Sequence, residues 1–225
     1  MKRSLINKHM EEAKELLKRN NIVLPPFAYW SPEDWKSKGA ECDEIRKCML
    51  GWDITDFGSG NFEKLGLVVF TVRNGHDTIA EFSNKTYCEK ILIMREKQLI
   101  PMHFHWKKTE DIINICGGDL VFEVYNSTKD GKLDDTEVTV STDGVKRTVP
   151  PGAKITLKPG ESMTVPDHLY HAFWAENNPE PLLCREVSKV NDDNTDNRFL
   201  KPAGRFPEIE EDVDPLHHLC TEYPA

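Results

Sequence analysis

Two histidines with one residue between them, His103 and His105, stand five residues ahead of Glu110 in the stretch Pro101-Met102-His103-Phe104-His105-Trp106-Lys107-Lys108-Thr109-Glu110. On a strand, residues i and i+2 project from one face, so both imidazoles would point the same way. Glu110 follows a four-residue turn and can reach back to the same point. A third imidazole, His171, comes after Pro159-Gly160 and Pro166, on what the pattern makes an antiparallel neighbouring strand. Three imidazoles and a carboxylate form a mixed nitrogen and oxygen donor set. It suits one divalent ion such as Mn2+, Fe2+, Ni2+, Co2+ or Zn2+, and suits Ca2+ poorly, because Ca2+ takes oxygen ligands. His168 is the nearest rival to His171, but it falls at a turn position, and alternation after that turn favours His171. Any one of these histidines alone reads as an ordinary core or surface residue; the combination and its spacing point to chemistry.

The elements that must position these groups are strands. Runs at 65–72, 87–94 and 111–125 are apolar and β-branched, and 136–148 alternates around Asp143-Gly144, a strong hairpin signal. Further strands fit 154–157, 162–165, 172–175 and 182–187. Many short strands punctuated by Gly and Pro predict a mainly β fold, a barrel or two-sheet jelly roll. The first 60 residues read differently. Ile6, Met10, Ala13 and Leu17 recur at helical spacing, with Ser4 placed to cap the helix, and Ser31-Pro32-Glu33-Asp34 looks like a second helix start. We therefore expect residues 1–60 to be a helical extension packed on the outside of a barrel formed by 61–225, as a single structural unit.

The chain has 225 residues, with 29 Lys+Arg against 38 Asp+Glu, for a net charge of −9. That acidic balance argues against nucleic acid as a partner, because phosphates call for clustered Lys and Arg. No apolar run approaches the roughly 20 residues of a membrane helix. The N-terminus lacks the apolar core of a secretory signal, so a cytoplasmic protein with reduced cysteines is expected. Exposed sheet edges commonly close by pairing, which predicts a homodimer.

The metal-ligand pattern resembles the two cupin motifs. His103, His105, Glu110 and Gly117 match the first, with Lys97 in place of its leading Gly; Gly160, Pro166 and His171 match the second, with His168 at the inner Gly and Ala175 at the final Asn. The resemblance implies a cupin jelly-roll β-barrel with a metal in its mouth. Leu24-Pro25-Pro26-Phe27-Ala28, Gly51-Trp52-Asp53-Ile54-Thr55-Asp56-Phe57-Gly58, Glu186-Val187-Ser188 with Val190-Asn191-Asp192-Asp193-Asn194-Thr195-Asp196-Asn197, and Gly204-Arg205-Phe206-Pro207 look like the cupin-type D-lyxose isomerases.

That resemblance implies an aldose–ketose isomerase acting on a free monosaccharide, D-lyxose to D-xylulose and also D-mannose to D-fructose, with one divalent metal, Mn2+ foremost. Aldose–ketose isomerisation needs a base that moves one proton between two carbons. Glu186 is the candidate, because alternation puts it on one face with Leu182 and Cys184, and a carboxylate on an apolar face needs a reason. Lys90 shares a face with Cys88, Leu92 and Met94 and is the second catalytic candidate. Lys108 lies between His105 and Glu110, and Asp193 and Arg205 come from segments that match the isomerase pattern; these three are the substrate-binding candidates. The same ligands also serve metal-dependent dioxygenases and oxidases, and a sugar-binding cupin without activity is a further alternative. The polar groups Lys90, Lys108 and Glu186 favour the isomerase over a redox site.

Overall fold

The computed structural model describes residues 1–206 and 208–224; Pro207, the last residue of the Gly204-Arg205-Phe206-Pro207 match, lies outside the described residues. The chain opens on helices α1 (Arg3–Arg19), α2 (Pro32–Trp35) and α3 (Asp43–Lys47). Among the described residues thirteen strands follow, β1 (Gly51–Thr55), β2 (Leu67–Arg73), β3 (Tyr87–Met94), β4 (Leu99–His105), β5 (Glu110–Cys116), β6 (Asp119–Asn126), β7 (Val138–Thr142), β8 (Val145–Val149), β9 (Ala153–Leu157), β10 (Ser162–Val165), β11 (Leu169–Glu176), β12 (Leu182–Lys189) and β13 (Asn197–Phe199). They form two antiparallel sheets, ordered β1-β2-β3-β12-β5-β10-β7-β8 and β13-β4-β11-β6-β9.

Alternation builds the core between the sheets. Val69 on β2, Leu92 on β3, Ile112 on β5 and Cys184 on β12 belong to one buried cluster with Ile100 on β4, Phe122 on β6 and Phe173 on β11. The protein is thus mainly β, with the two sheets closed over one another in the cupin jelly-roll arrangement. The run predicted at 111–125 is two strands, because Gly117 and Gly118 take φ of 102° and 150° and break it. A Cβ on Gly117 would stand 2.5 Å from the Pro181 carbonyl oxygen, so the turn also needs the missing side chain. Asp143 and Gly144 take φ of 51° and 80° and close the β7–β8 hairpin, as the Asp-Gly pair predicts.

The second face of β1, β2 and β3 is not solvated. Ile6, Met10, Ala13, Leu16 and Leu17 of α1 pack there against Trp52, Ile54, Phe70 and Ile93. Strands covered on both faces read as unbroken apolar runs, which is why 65–72 shows no alternation. Residues 1–60 also contribute β1, the edge strand beside β2, which the sequence reading did not mark. Two local expectations change. Ser4 is not the cap of α1: the N-cap is Lys2, without a side-chain cap, and the Ser4 amide and hydroxyl donate to Asp212. Ser31 and Asp34 do form a capping box, but the helix they start is a single turn that ends at Trp35. Among the described residues no helix is long and apolar enough to cross a membrane.

Candidate functional site

β4 and β11 pair so that His171 stands directly opposite His103. His103 and His105 share the inner face of β4, and Glu110 opens β5 on the far side of the turn at 106–109. The three imidazoles offer ligand atoms that all lie within 4.8 Å of one another. Glu110 Oε1 is 3.5 Å from His105 Nε2 and 3.2 Å from His171 Nε2. Backbone carbonyls set two of the tautomers. His103 Nδ1 lies 2.7 Å from Pro101 O and His171 Nδ1 lies 2.9 Å from Leu169 O; a carbonyl only accepts, so Nδ1 carries the proton and Nε2 keeps its lone pair for the centre.

Electrostatics keep His103, His105 and Glu110 in their ligating forms. Burial, followed by the neighbouring imidazoles, pushes His103 well below the usual imidazole range; burial and the Lys108 ammonium lower His105. Burial works to raise Glu110, but Lys108 and the imidazoles outweigh it and hold the carboxyl well below the usual carboxylate range. His105 Nδ1 and His171 Nε2 are buried with no hydrogen-bond partner among the described residues. Orphaned buried polar atoms are costly unless something satisfies them. A buried carboxylate, three imidazoles whose ligand atoms lie within 4.8 Å of one another, and a partnerless His171 Nε2 fit a divalent metal of the nitrogen- and oxygen-binding kind.

Beside this cluster runs a chain of alternating charge. Lys108 Nζ contacts Glu110 Oε2 at 2.7 Å and Glu186 Oε1 at 2.9 Å. Lys90 Nζ stands 3.7 Å from Glu186 Oε1 and 3.8 Å from Asp193 Oδ2. Arg205 reaches Asp193 at 3.2 Å and also pairs with Asp53. Burial opposes charge at Lys108, but Glu110, Glu186 and Asp193 raise its pKa above the ordinary lysine value. Burial likewise opposes charge at Asp193 and Arg205; each nevertheless holds the other ionised, Asp193 far below and Arg205 above its ordinary value. Asp53 moves the other way, raised because burial outweighs Arg205.

The structure brings the sequence-nominated residues to one place. Lys90, His103, His105, Lys108, Glu110, Glu186, Asp193 and Arg205 line a single cavity holding about 400 Å³ of atom-free space, counted to its open mouth. His171, fully buried, sits behind it within ligand reach. A more voluminous open groove between α1 and the 178–181 loop shares no residue with this cavity. Among the aromatics that flank the ligands, Phe173 lines the cavity, while Trp106 is 42 % exposed and packs against Phe104 and His168 instead. His168 is thereby outside the ligand cluster.

Several site residues escaped the sequence reading. Asn191 Oδ1 accepts from Lys90 and Lys108 at 2.6 and 3.2 Å. The Asp196 carboxylate accepts from the backbone N–H groups of Lys107 and Lys108 at 2.9 and 3.1 Å, tying down the turn between His105 and Glu110. Phe57 and Phe199 add an aromatic wall. The polar run at 191–197 was the available signal, but polarity alone does not separate a buried network from a solvated loop.

The family model described as D-lyxose isomerase matches residues 1–223. The chain is 45% identical over 225 residues to a D-lyxose/D-mannose isomerase of Serratia proteamaculans, covering 99% of this chain and 98% of that one. It is 43% identical over 224 residues to the enzyme of the same description from Escherichia coli O157:H7, with the same coverage. Among solved structures, L-ribose isomerase of Cellulomonas parahominis superposes with a TM-score of 0.62 at 18% identity, covering 93% of this chain and 98% of that one. That of Acinetobacter sp. DL28 gives 0.64 at 15% identity over the same shares of the two chains. At such identities these structures speak for the fold alone.

Proposed function

The chain belongs to the D-lyxose isomerase family, and from that premise we propose that it interconverts D-lyxose with D-xylulose, and D-mannose with D-fructose, as a metal-dependent isomerase of free sugars. The observation that carries the reading is the placement of Glu186 in the cavity lined by His103, His105 and Glu110, with His171 within ligand reach of them. Those four residues would hold the ion, Mn2+ foremost, with Zn2+, Co2+, Ni2+ or Fe2+ compatible. A divalent ion supplies Lewis acidity that polarises a carbonyl and stabilises the negative charge of an enediolate.

This chain's residues do the rest. Glu186 takes the C2 proton of the aldose and returns it to C1, while the proton of the O2 hydroxyl passes to O1. Its Oε1 is held by Lys108 at 2.9 Å. Lys108 and Lys90 offset negative charge that develops on the substrate oxygens, in a site where burial strengthens each interaction. Arg205 and Asp193 offer hydrogen-bond groups to the remaining hydroxyls. Phe57, Phe173, Phe199, Ile100 and Ile112 form apolar wall. A dioxygenase would have little use for a cavity with this many charged side chains, which is why an isomerase is preferred. The exposed edge strand β8 supports pairing of two copies, and light scattering at micromolar concentration should return a dimer.

The test uses the metal-loaded enzyme, a panel of free pentoses and hexoses, and Glu186→Gln. The swap is nearly isosteric, so fold and metal content should persist while the rate falls by about 10²–10⁴-fold, the usual worth of a positioned general base. Deuterium from heavy water should enter C1 or C2 of the wild-type product. Complete retention of substrate deuterium with near-normal rates in Glu186→Gln would instead establish a hydride shift, with Lys90 and Lys108 as electrostatic helpers.

A further inference from the structure

We propose that Asn191 is a positioning residue for the proton transfer, and that Asn74 fixes it in place; the proposal rests on the reading of Glu186 as the base. Two ammonium groups and two oxygens alternate around a four-cornered ring. Lys108 Nζ donates to Glu186 Oε1 at 2.9 Å and to Asn191 Oδ1 at 3.2 Å. Lys90 Nζ donates to Asn191 Oδ1 at 2.6 Å and stays 3.7 Å from Glu186 Oε1. Lys108, which also contacts Glu110 Oε2 at 2.7 Å, thus reaches Glu186, while Lys90 leans on Asn191. Lys90 is buried at 4% exposure and must place its N–H groups on some acceptor. A neutral amide oxygen accepts them without adding charge. Without it, the nearest carboxylates are Glu186 and Asp193, at 3.7 and 3.8 Å. The lysine contacts to Glu186 fall on Oε1 among the described residues, which leaves Oε2 to face a substrate C–H. Lys90 drawn onto Glu186 would turn or occupy that carboxylate.

The amide cannot swap its ends. Asn191 Nδ2 donates to Asp193 Oδ2 at 3.0 Å, so the oxygen must face the lysines; a flipped amide would aim N–H groups at two ammoniums and an oxygen at a carboxylate. The main chain is clamped as well. Asn191 N–H donates to Asn74 Oδ1 at 3.0 Å, and Asn74 Nδ2 donates to Asn191 O at 2.9 Å and to Cys48 O at 3.1 Å. Asn74, 3% exposed at the end of β2, mimics a strand partner for the chain leaving β12. Neither asparagine lines the cavity: Asn191 reaches it through Lys90, Lys108 and Asp193, and Asn74 acts through Asn191.

The experiment compares metal-loaded wild type, Asn191→Ala and Asn74→Ala on D-lyxose carrying hydrogen or deuterium at C2. Both variants should lose about 10–100-fold in kcat, the scale of a slightly misplaced reacting group. KM should change by less than about threefold, metal content should match wild type, and the isotope effect on kcat should be at least as large as wild type. Unchanged kcat, or a loss expressed in KM or metal content, overturns the proposal. Asn191→Ser, whose hydroxyl cannot reach the lysines, decides the matter should an alanine variant not fold. Glu186→Gln separates the two readings. If it stays active, the base assignment fails; if it is inactive while the asparagine variants behave as wild type, only the positioning role fails.

Discussion

Lys97 and His168 stand where the two cupin motifs carry glycine, and both adopt the left-handed backbone that glycine favours, with φ of 59° and 60°. Their backbone N–H groups are held at that turn geometry, Lys97 by the Ala175 carbonyl and His168 by the His105 carbonyl, each at 2.8 Å. An L-residue in this region costs roughly 1–2 kcal/mol, while glycine adds about 0.5–1 kcal/mol of chain entropy to be lost. The side chains decide the balance. That of Lys97 is 80% exposed and pairs with Glu96 at 3.7 Å, so Lys97→Gly should stabilise the protein by about 0.5–1 kcal/mol. His168 lies 5.4 Å, ring to ring, from both Phe104 and Trp106, and losing that packing should cancel the gain in His168→Gly. Urea unfolding of the two variants beside wild type checks the contrast; equal effects would show that the ring contacts contribute nothing.

At the scale of elements, what was legible followed from period. The two-residue spacing of His103 and His105 placed both on the inner face, and the alternation of Leu182, Cys184 and Glu186 placed the carboxylate in the cavity. The strands at 87–94 and 162–165 fall where the pattern put them, because their ends are marked by turn residues. β1 and β13 were not legible. β1 is buried on every residue through contact with α1 and β2, and β13 is three residues inside a polar run whose pairing to β4 is a tertiary fact. Asn191 and Asp196 were invisible for the same reason: their partners lie over 80 positions away in the chain, at Lys90, Lys107 and Lys108. The apolar stripe of α1 was readable, and its burial gives a prediction. Met10, fully buried against β1–β3, should cost about 2–5 kcal/mol when changed to alanine, through lost transfer energy and the cavity left behind. Unfolding in urea at fixed metal concentration measures it, and a loss below about 1 kcal/mol would mean the helix is not integral to the fold.

Across the whole molecule, the C-terminal segment is a strap that returns over the N-terminal helix. Arg3 reaches Glu211 and Glu222, and Asn7 and Ser4 bind the segment at Leu216 and Asp212. His217 joins three parts of the chain at one imidazole. Its Nδ1–H donates to the Trp30 carbonyl at 2.9 Å, and its Nε2 accepts from the Lys14 ammonium at 3.0 Å. Only a neutral ring can do both, since a protonated one would set two positive charges against each other. Burial, with Lys14 adding to it, accordingly lowers His217 below the usual imidazole value of 6.5. The sign follows from proton counting. Below about pH 6.5 the unfolded chain takes up a proton that folded His217 refuses, so stability is full above that value and is lost as pH falls through it toward the depressed folded value. One such group contributes at most about 1.4 kcal/mol per pH unit. His217→Gln, which can still donate to Trp30 and accept from Lys14 without titrating, should flatten the decline in stability between pH 7 and pH 5 by up to that amount. Unfolding free energies at several pH values decide it, with parallel curves for variant and wild type counting against His217 as a sensor of acid.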